Sequence, residues 1–102
     1  MAHPILPPVH PGKILRQEYL EPLSMSAGEL AKALRVPRTR IERLIGEKTA
    51  LTPDTALRLA IYFKTTPEFW MNLQSLYDLQ IAEGELADEI KHSVKPLRRV
   101  AG

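Results

Sequence analysis

Helix start signals recur along this chain and leave little room for any fold class other than all-α. Ser26 is followed three residues later by Glu29, the reciprocal side-chain and backbone pairing of a capping box. Thr52-Pro53-Asp54 sets a hydroxyl cap, a first-turn proline and a favourable negative charge ahead of a periodic stretch that ends near Phe63. Thr66-Pro67-Glu68 repeats that instruction for a further helix. Upstream, a helix is predicted from about Pro11 to Leu20, with Ile14, Leu15 and Tyr19 inward and a stop near Pro22. Pro4, Pro7 and Pro8 exclude a regular helix from residues 1–10, which read as an extended, mobile arm. Residues 11–79 then form the helical domain, and residues 80–102 a C-terminal extension, helical and then basic, with Gly84 expected to interrupt the pattern and Pro96 to close it.

Between Ser26 and Lys48 two short helical patterns are joined by a tight turn. Leu30, Ala31 and Leu34 share one face of the first, and Ala31 is small enough for a second helix to cross closely, with Val36 plugging the turn. The second is read as starting near Pro37, a residue suited to a first turn. Ile41, Leu44 and Ile45 point inward at spacings of three and four, which leaves Arg38, Thr39, Arg40, Glu42 and Arg43 outside. This is the layout of a helix-turn-helix whose second helix enters a DNA major groove. Arg38, Thr39, Arg40 and Arg43 are the candidate base readers, because arginine offers two donors to guanine and threonine can touch a thymine methyl. Ser26, Arg35, Lys48 and Thr49 are the candidate phosphate contacts. The bland alternative is a helix that carries solvated arginines, and the capped helix and short turn ahead of those charges weigh against it.

Charge is unevenly spread although the net value is only +2. From Arg35 to Lys48 five basic residues face two acids, whereas Glu68 to Glu89 holds six acids and neither lysine nor arginine. DNA would repel that acidic stretch, so Glu83, Glu85, Asp88 and Glu89 are candidates for facing a basic protein partner, against the alternative of a solvated helix face. Phe69, Trp70, Leu73, Leu76 and Tyr77 form a wider apolar stripe than one small core absorbs. Phe69 and Leu73 are read as core and Trp70 as either core or interface; Trp70, Leu73, Leu76 and Tyr77 are the candidate dimer or partner contacts. At 102 residues a monomer buries a modest core, and a homodimer would place two reading helices about one DNA turn apart on an inverted repeat.

The inventory argues against an enzyme and against a metal or cofactor site. His3, His10 and His92 lie near the two ends, there is no cysteine, and Asp88 and Glu89 are adjacent and so point to different helix faces. His10 is better read as a capping or packing residue ahead of Pro11. No apolar run is long enough for a membrane span, and the first residues lack the order of a signal peptide, so the cytoplasm is the expected location.

Taken together, His10-Pro11-Gly12-Lys13-Ile14-Leu15, Leu20-Glu21-Pro22-Leu23, the helix-turn-helix, Leu51-Thr52-Pro53-Asp54-Thr55-Ala56-Leu57-Arg58-Leu59-Ala60, Thr66-Pro67-Glu68-Phe69-Trp70-Met71-Asn72-Leu73-Gln74 and Tyr77-Asp78-Leu79 resemble the HigA antitoxins. These belong to the phage-repressor-like helix-turn-helix superfamily. The resemblance implies a five-helix, dimeric DNA-binding protein that represses its own operon and neutralises a HigB-like mRNA-cutting toxin; the alternative is a stand-alone repressor with no toxin partner. Three positions depart from the family pattern. Arg35 stands where a glycine usually precedes the valine of the turn, a left-handed position at which a non-glycine residue costs about 1 kcal/mol. Ala27 replaces a phosphate-holding glutamine. Gly46 comes one residue early, with Glu47 between it and Lys48.

Overall fold

The computed structural model describes residues 7–98, all helix and connection with no strand among them. Helix α1 (Pro11–Ile14) runs straight into a π-helical segment (Leu15–Leu20), followed by α2 (Ala27–Leu34), α3 (Arg38–Ile45), α4 (Pro53–Phe63) and α5 (Pro67–Ser93). The expected arm falls mostly on residues 1–6, and Arg99 of the basic tail on 99–102; both lie outside the described residues.

His10 caps α1, its Nδ1 accepting the Gly12 N–H at 2.9 Å, and its ring lies edge-on to Tyr77 at 4.9 Å. The capping or packing role read for it is therefore the observed one. Gly12 is required by close approach: a Cβ there would stand 1.8 Å from the Leu44 carbonyl oxygen at the end of α3. The π-helical bonding brings residues five apart nearly into line, so Leu15 and Leu20 are both buried while Ile14 and Tyr19 are only half-buried. Leu15 and Tyr19 thus face inward as read from a spacing of 3.6, Tyr19 packing half-buried against the core, and the π-helical turn adds Leu20 to that face. Arg16 reaches across to donate to the Ile45 carbonyl and lies 3.6 Å from Glu47, so the π-helical segment closes the C-terminal end of α3 from the side.

The capping box of α2 is complete, with Ser26 Oγ accepting the Glu29 N–H at 3.1 Å and Glu29 Oε1 accepting the Ser26 N–H at 2.8 Å. A cap of this kind stabilises by about 0.5–2 kcal/mol. These bonds hold the Glu29 carboxyl below the ordinary carboxylate range, the backbone N–H of Ser26 contributing most. Helix α2 ends in a Schellman motif, with Val36 N–H to Ala31 O at 3.0 Å and Arg35 N–H to Lys32 O at 3.2 Å. Arg35 sits at φ 60°, ψ 49°, the left-handed conformation expected at that position. Pro37 is the N-cap of α3 rather than a residue of its first turn, because its ψ of 143° is still extended.

The core is a single cluster in which Leu30, Ala31 and Leu34 meet Ile41 and Leu44, with Leu15, Leu51, Ala56, Leu59 and Trp70 behind them. Trp70 is fully buried, and its indole N–H donates to Thr65 Oγ1 at 2.8 Å. Its ring stands 5.1 Å from Tyr19, which in turn stands 4.8 Å from Phe63. Gln74 is also buried; its Oε1 accepts the Leu51 N–H at 2.7 Å and its Nε2 donates to Asp78 Oδ1 at 2.8 Å, which ties the loop after α3 to α5. Helix α5 does not break at Gly84 but continues to Ser93, because a glycine facing open space costs only about 1 kcal/mol and meets no competing contact. At 27 residues it is about 40 Å long and accounts for the 58 Å length of the molecule.

Candidate nucleic-acid interface

Helix α3 is held by Ile41 and Leu44 beneath it, and the rotation this imposes decides which side chains face outward. At 100° per residue Thr39 stands opposite the buried pair, Glu42 and Arg43 to either side of that line, and Arg38 and Arg40 on the two flanks. All four candidate base readers are exposed, and Glu42 is exposed with them. Glu42 is a further residue of this face beyond the four candidate readers, and a carboxylate there can accept from the cytosine amino group.

The four readers are not equivalent. Arg38 lies on the α2 side, its Nε 2.8 Å from Glu42 Oε2 one turn along the same helix, and its side chain runs close over Gly28. Arg40 lies on the α4 side and donates to Asp54 Oδ2. The same carboxylate oxygen accepts Arg58 Nε at 3.0 Å, and Arg58 Nη1 donates to the carbonyls of Leu34 at 2.8 Å and Arg35 at 3.5 Å. Hydrogen bonds first from Arg58 and then from Arg40 hold the Asp54 carboxyl below its ordinary range. Among the described residues Thr39 and Arg43 make no such side-chain bond.

The phosphate candidates bracket this helix. Arg35 is exposed at the turn before α3, and Lys48 and Thr49 are exposed in the loop after it. Ser26 accepts from Glu29 as a cap and keeps its own O–H free, at the start of the helix whose first turn lies beside Arg38. A groove of about 350 Å³ runs between α3 and the following loop, with Thr39, Arg40, Arg43, Thr49 and Thr52 on its walls. No side chain caps α3, and in its first turn the Arg40 N–H donates to the Pro37 carbonyl at 3.0 Å.

The candidate contacts on α5 divide. Trp70 is fully buried within one chain, so it is core and cannot anchor an interface; its indole is satisfied by Thr65. Leu73 packs on the core half-buried, Tyr77 covers His10, and Leu76 is exposed. Phe69, read as core, is instead 38% exposed, since the one-residue step that turns Trp70 inward turns its neighbour out. Glu83, Glu85, Asp88 and Glu89 are all exposed on the part of α5 that projects past the core, beside the apolar residues Leu79, Leu86 and Ile90. Sequence reasoning missed a second apolar ridge, Leu57 at 56% and Ile61 at 82% exposure on the outer side of α4. A spacing of four on a helix whose other face is already apolar was the available signal. Among the described residues no helix is long and apolar enough to cross a membrane.

A helix-turn-helix family model, HTH_3, matches residues 17–70, just over half of the chain. Virulence-associated protein I of Dichelobacter nodosus is 50% identical over 78 residues, spanning 76% of this chain and 72% of its own. Antitoxin HigA-1 of Vibrio cholerae is 39% identical over 90 residues, 88% of this chain and 84% of its own. Among solved structures, the Pseudomonas aeruginosa antitoxin HigA with higBA promoter superposes at a TM-score of 0.87 with 41% identity, over 89% of this chain and 99% of that one. With the fold, the capped helix pair and the exposed basic face in agreement with these likenesses, the chain belongs to the HigA antitoxin family of helix-turn-helix proteins.

Proposed function

We propose that this chain is the antitoxin of a type II toxin–antitoxin pair, a cytoplasmic homodimer that represses its own operon through residues 11–79 and occupies a HigB-like mRNA-cleaving toxin through the extension at 80–102. The observation that carries the DNA half is the orientation of α3: Thr39 and Arg43 point outward, Arg38 and Arg40 flank them, and exposed Arg35, Lys48 and Thr49 stand at both ends. Such an array can seat one helix in a major groove while its ends grip phosphates. A second copy, for which Leu57, Ile61 and Leu76 supply exposed apolar area, would set the paired helices on an inverted repeat. No step requires a cofactor or a metal.

The toxin half rests on the chemistry of α5. Four exposed carboxylates beside an apolar edge suit a basic, RNA-gripping partner and keep it away from the DNA face. Co-expression with the product of the neighbouring gene, with a growth assay and a pull-down, tests this half. Association with relief of toxicity is the expected outcome. A protein that binds the duplex upstream of its own reading frame, but neither binds nor relieves the neighbouring product, would be the stand-alone repressor.

A further inference from the structure

Among the arginines on α3, Arg40 is the one tied to another helix. Arg38 pairs with Glu42 on its own helix and so moves with it, whereas the partner of Arg40 is Asp54 in the first turn of α4, fourteen residues away. Asp54 is in turn held by Arg58, and Arg58 is anchored on the carbonyls of Leu34 and Arg35 at the turn between α2 and α3. The chain of contacts thus runs from the turn, through α4, and back to the outer surface of α3. Only Nη1 of Arg40 is engaged, which leaves its Nε–H and Nη2–H edge free for a two-pronged bond to an acceptor pair such as guanine O6 and N7.

We propose that Asp54 is a positioning residue for DNA reading: it fixes the Arg40 guanidinium on the α4 side of the recognition helix, so that its free edge meets one base pair of each operator half-site. The inference rests on the DNA-binding reading above and adds a residue that does not itself touch the base. An unrestrained arginine must give up rotamer freedom when it binds, and the carboxylate removes part of that cost in advance. It does so at an expense elsewhere, because a negative charge beside the phosphates opposes binding to DNA of any sequence. Neutralising Asp54 therefore has opposite effects on the two kinds of binding.

The test is a set of titrations of the full chain against the duplex upstream of its reading frame, each single-base variant of that duplex, and a scrambled control. For Asp54→Ala the preference for operator over scrambled DNA should fall about tenfold, with the loss concentrated at one base pair per half-site. Binding to the scrambled duplex should instead tighten, by roughly twofold at low salt. Asp54→Asn, which keeps an acceptor without the charge, should fall between. In an Arg40→Ala background, Asp54→Ala should leave the base-preference profile unchanged. A uniform weakening toward operator and scrambled DNA, or an undiminished effect of Asp54→Ala without Arg40, would overturn the positioning role and leave DNA reading intact. A wild-type chain with no preference for its upstream duplex would overturn both.

Discussion

Ser24, Arg35, Glu47 and Lys64 hold left-handed backbone, and among the described residues no glycine does. At Glu47 the bonds Lys48 N–H to Arg43 O at 2.9 Å and Glu47 N–H to Leu44 O at 3.0 Å close α3 as Arg35 closes α2. Replacing Glu47 by glycine should raise stability by up to about 1 kcal/mol, read from urea unfolding, since relief of the left-handed strain outweighs the entropy of the new glycine. The Arg35 conformation was legible in the sequence from the residue it replaces; at the end of α3 Gly46, one residue early against the family pattern, sits at φ −82° and Glu47 takes the left-handed position. Glu29 allows a test in pH. A carboxyl whose folded pKa is depressed contributes stability above its ordinary titration range, and that contribution is lost as pH falls through the folded value. Glu29→Gln keeps the capping geometry without a titrating group, so its melting temperature should fall less steeply than that of the wild type below about pH 4.5.

At the scale of the element, α3 shows what periodicity conveys and what it does not. Spacings of three and four identified its outer face residue by residue, but not that Arg40 leans to α4 and Arg38 to α2, because those directions depend on partners folded from elsewhere in the chain. Replacing Arg43 with alanine should remove about 1–3 kcal/mol of discrimination between operator and scrambled DNA without changing helical content by circular dichroism. Lys48→Ala should weaken both duplexes alike and reduce the salt slope by about one. In α5 the apolar stripe is legible in the sequence, but not which of two neighbours it buries: Trp70, open between core and interface, is core, and Phe69, read as core, is exposed. A stripe wide enough to contain adjacent residues cannot say which of them faces the core; the indole bond to Thr65 decides it. Trp70→Ala should therefore cost about 3–5 kcal/mol of folding stability in denaturant.

Across the whole molecule, basic and acidic surfaces lie on different elements. Arg35, Arg38, Arg40, Arg43 and Lys48 gather on α3 and at its two ends, and Glu83, Glu85, Asp88 and Glu89 on the far part of α5, ahead of the basic residues Lys91, Lys95 and Arg98. Reversing the charge of Glu83, Glu85, Asp88 and Glu89 should abolish protection of growing cells from the co-expressed toxin, while binding to the upstream duplex at moderate salt is retained or tightened. Undiminished protection would return those acids to the solvent. The charge division could be read from the sequence. The projection of α5 could not, because Gly84 looked like a stop and nothing local says whether a helix will find a layer to lie on.

From Glu83 to Ser93 every side chain of α5 except Ala87 is exposed, so those turns are kept by their own backbone bonds and little else. An isolated helix of that length is marginal in water. Amides of these turns should therefore exchange with deuterium by local fraying, orders of magnitude faster than those of α2, α3 or the Trp70 turn, whose protection reports global unfolding. The chain thus has two separate clocks, a slow one for its core and a fast one for its last helix. Covering the last helix would slow only the second.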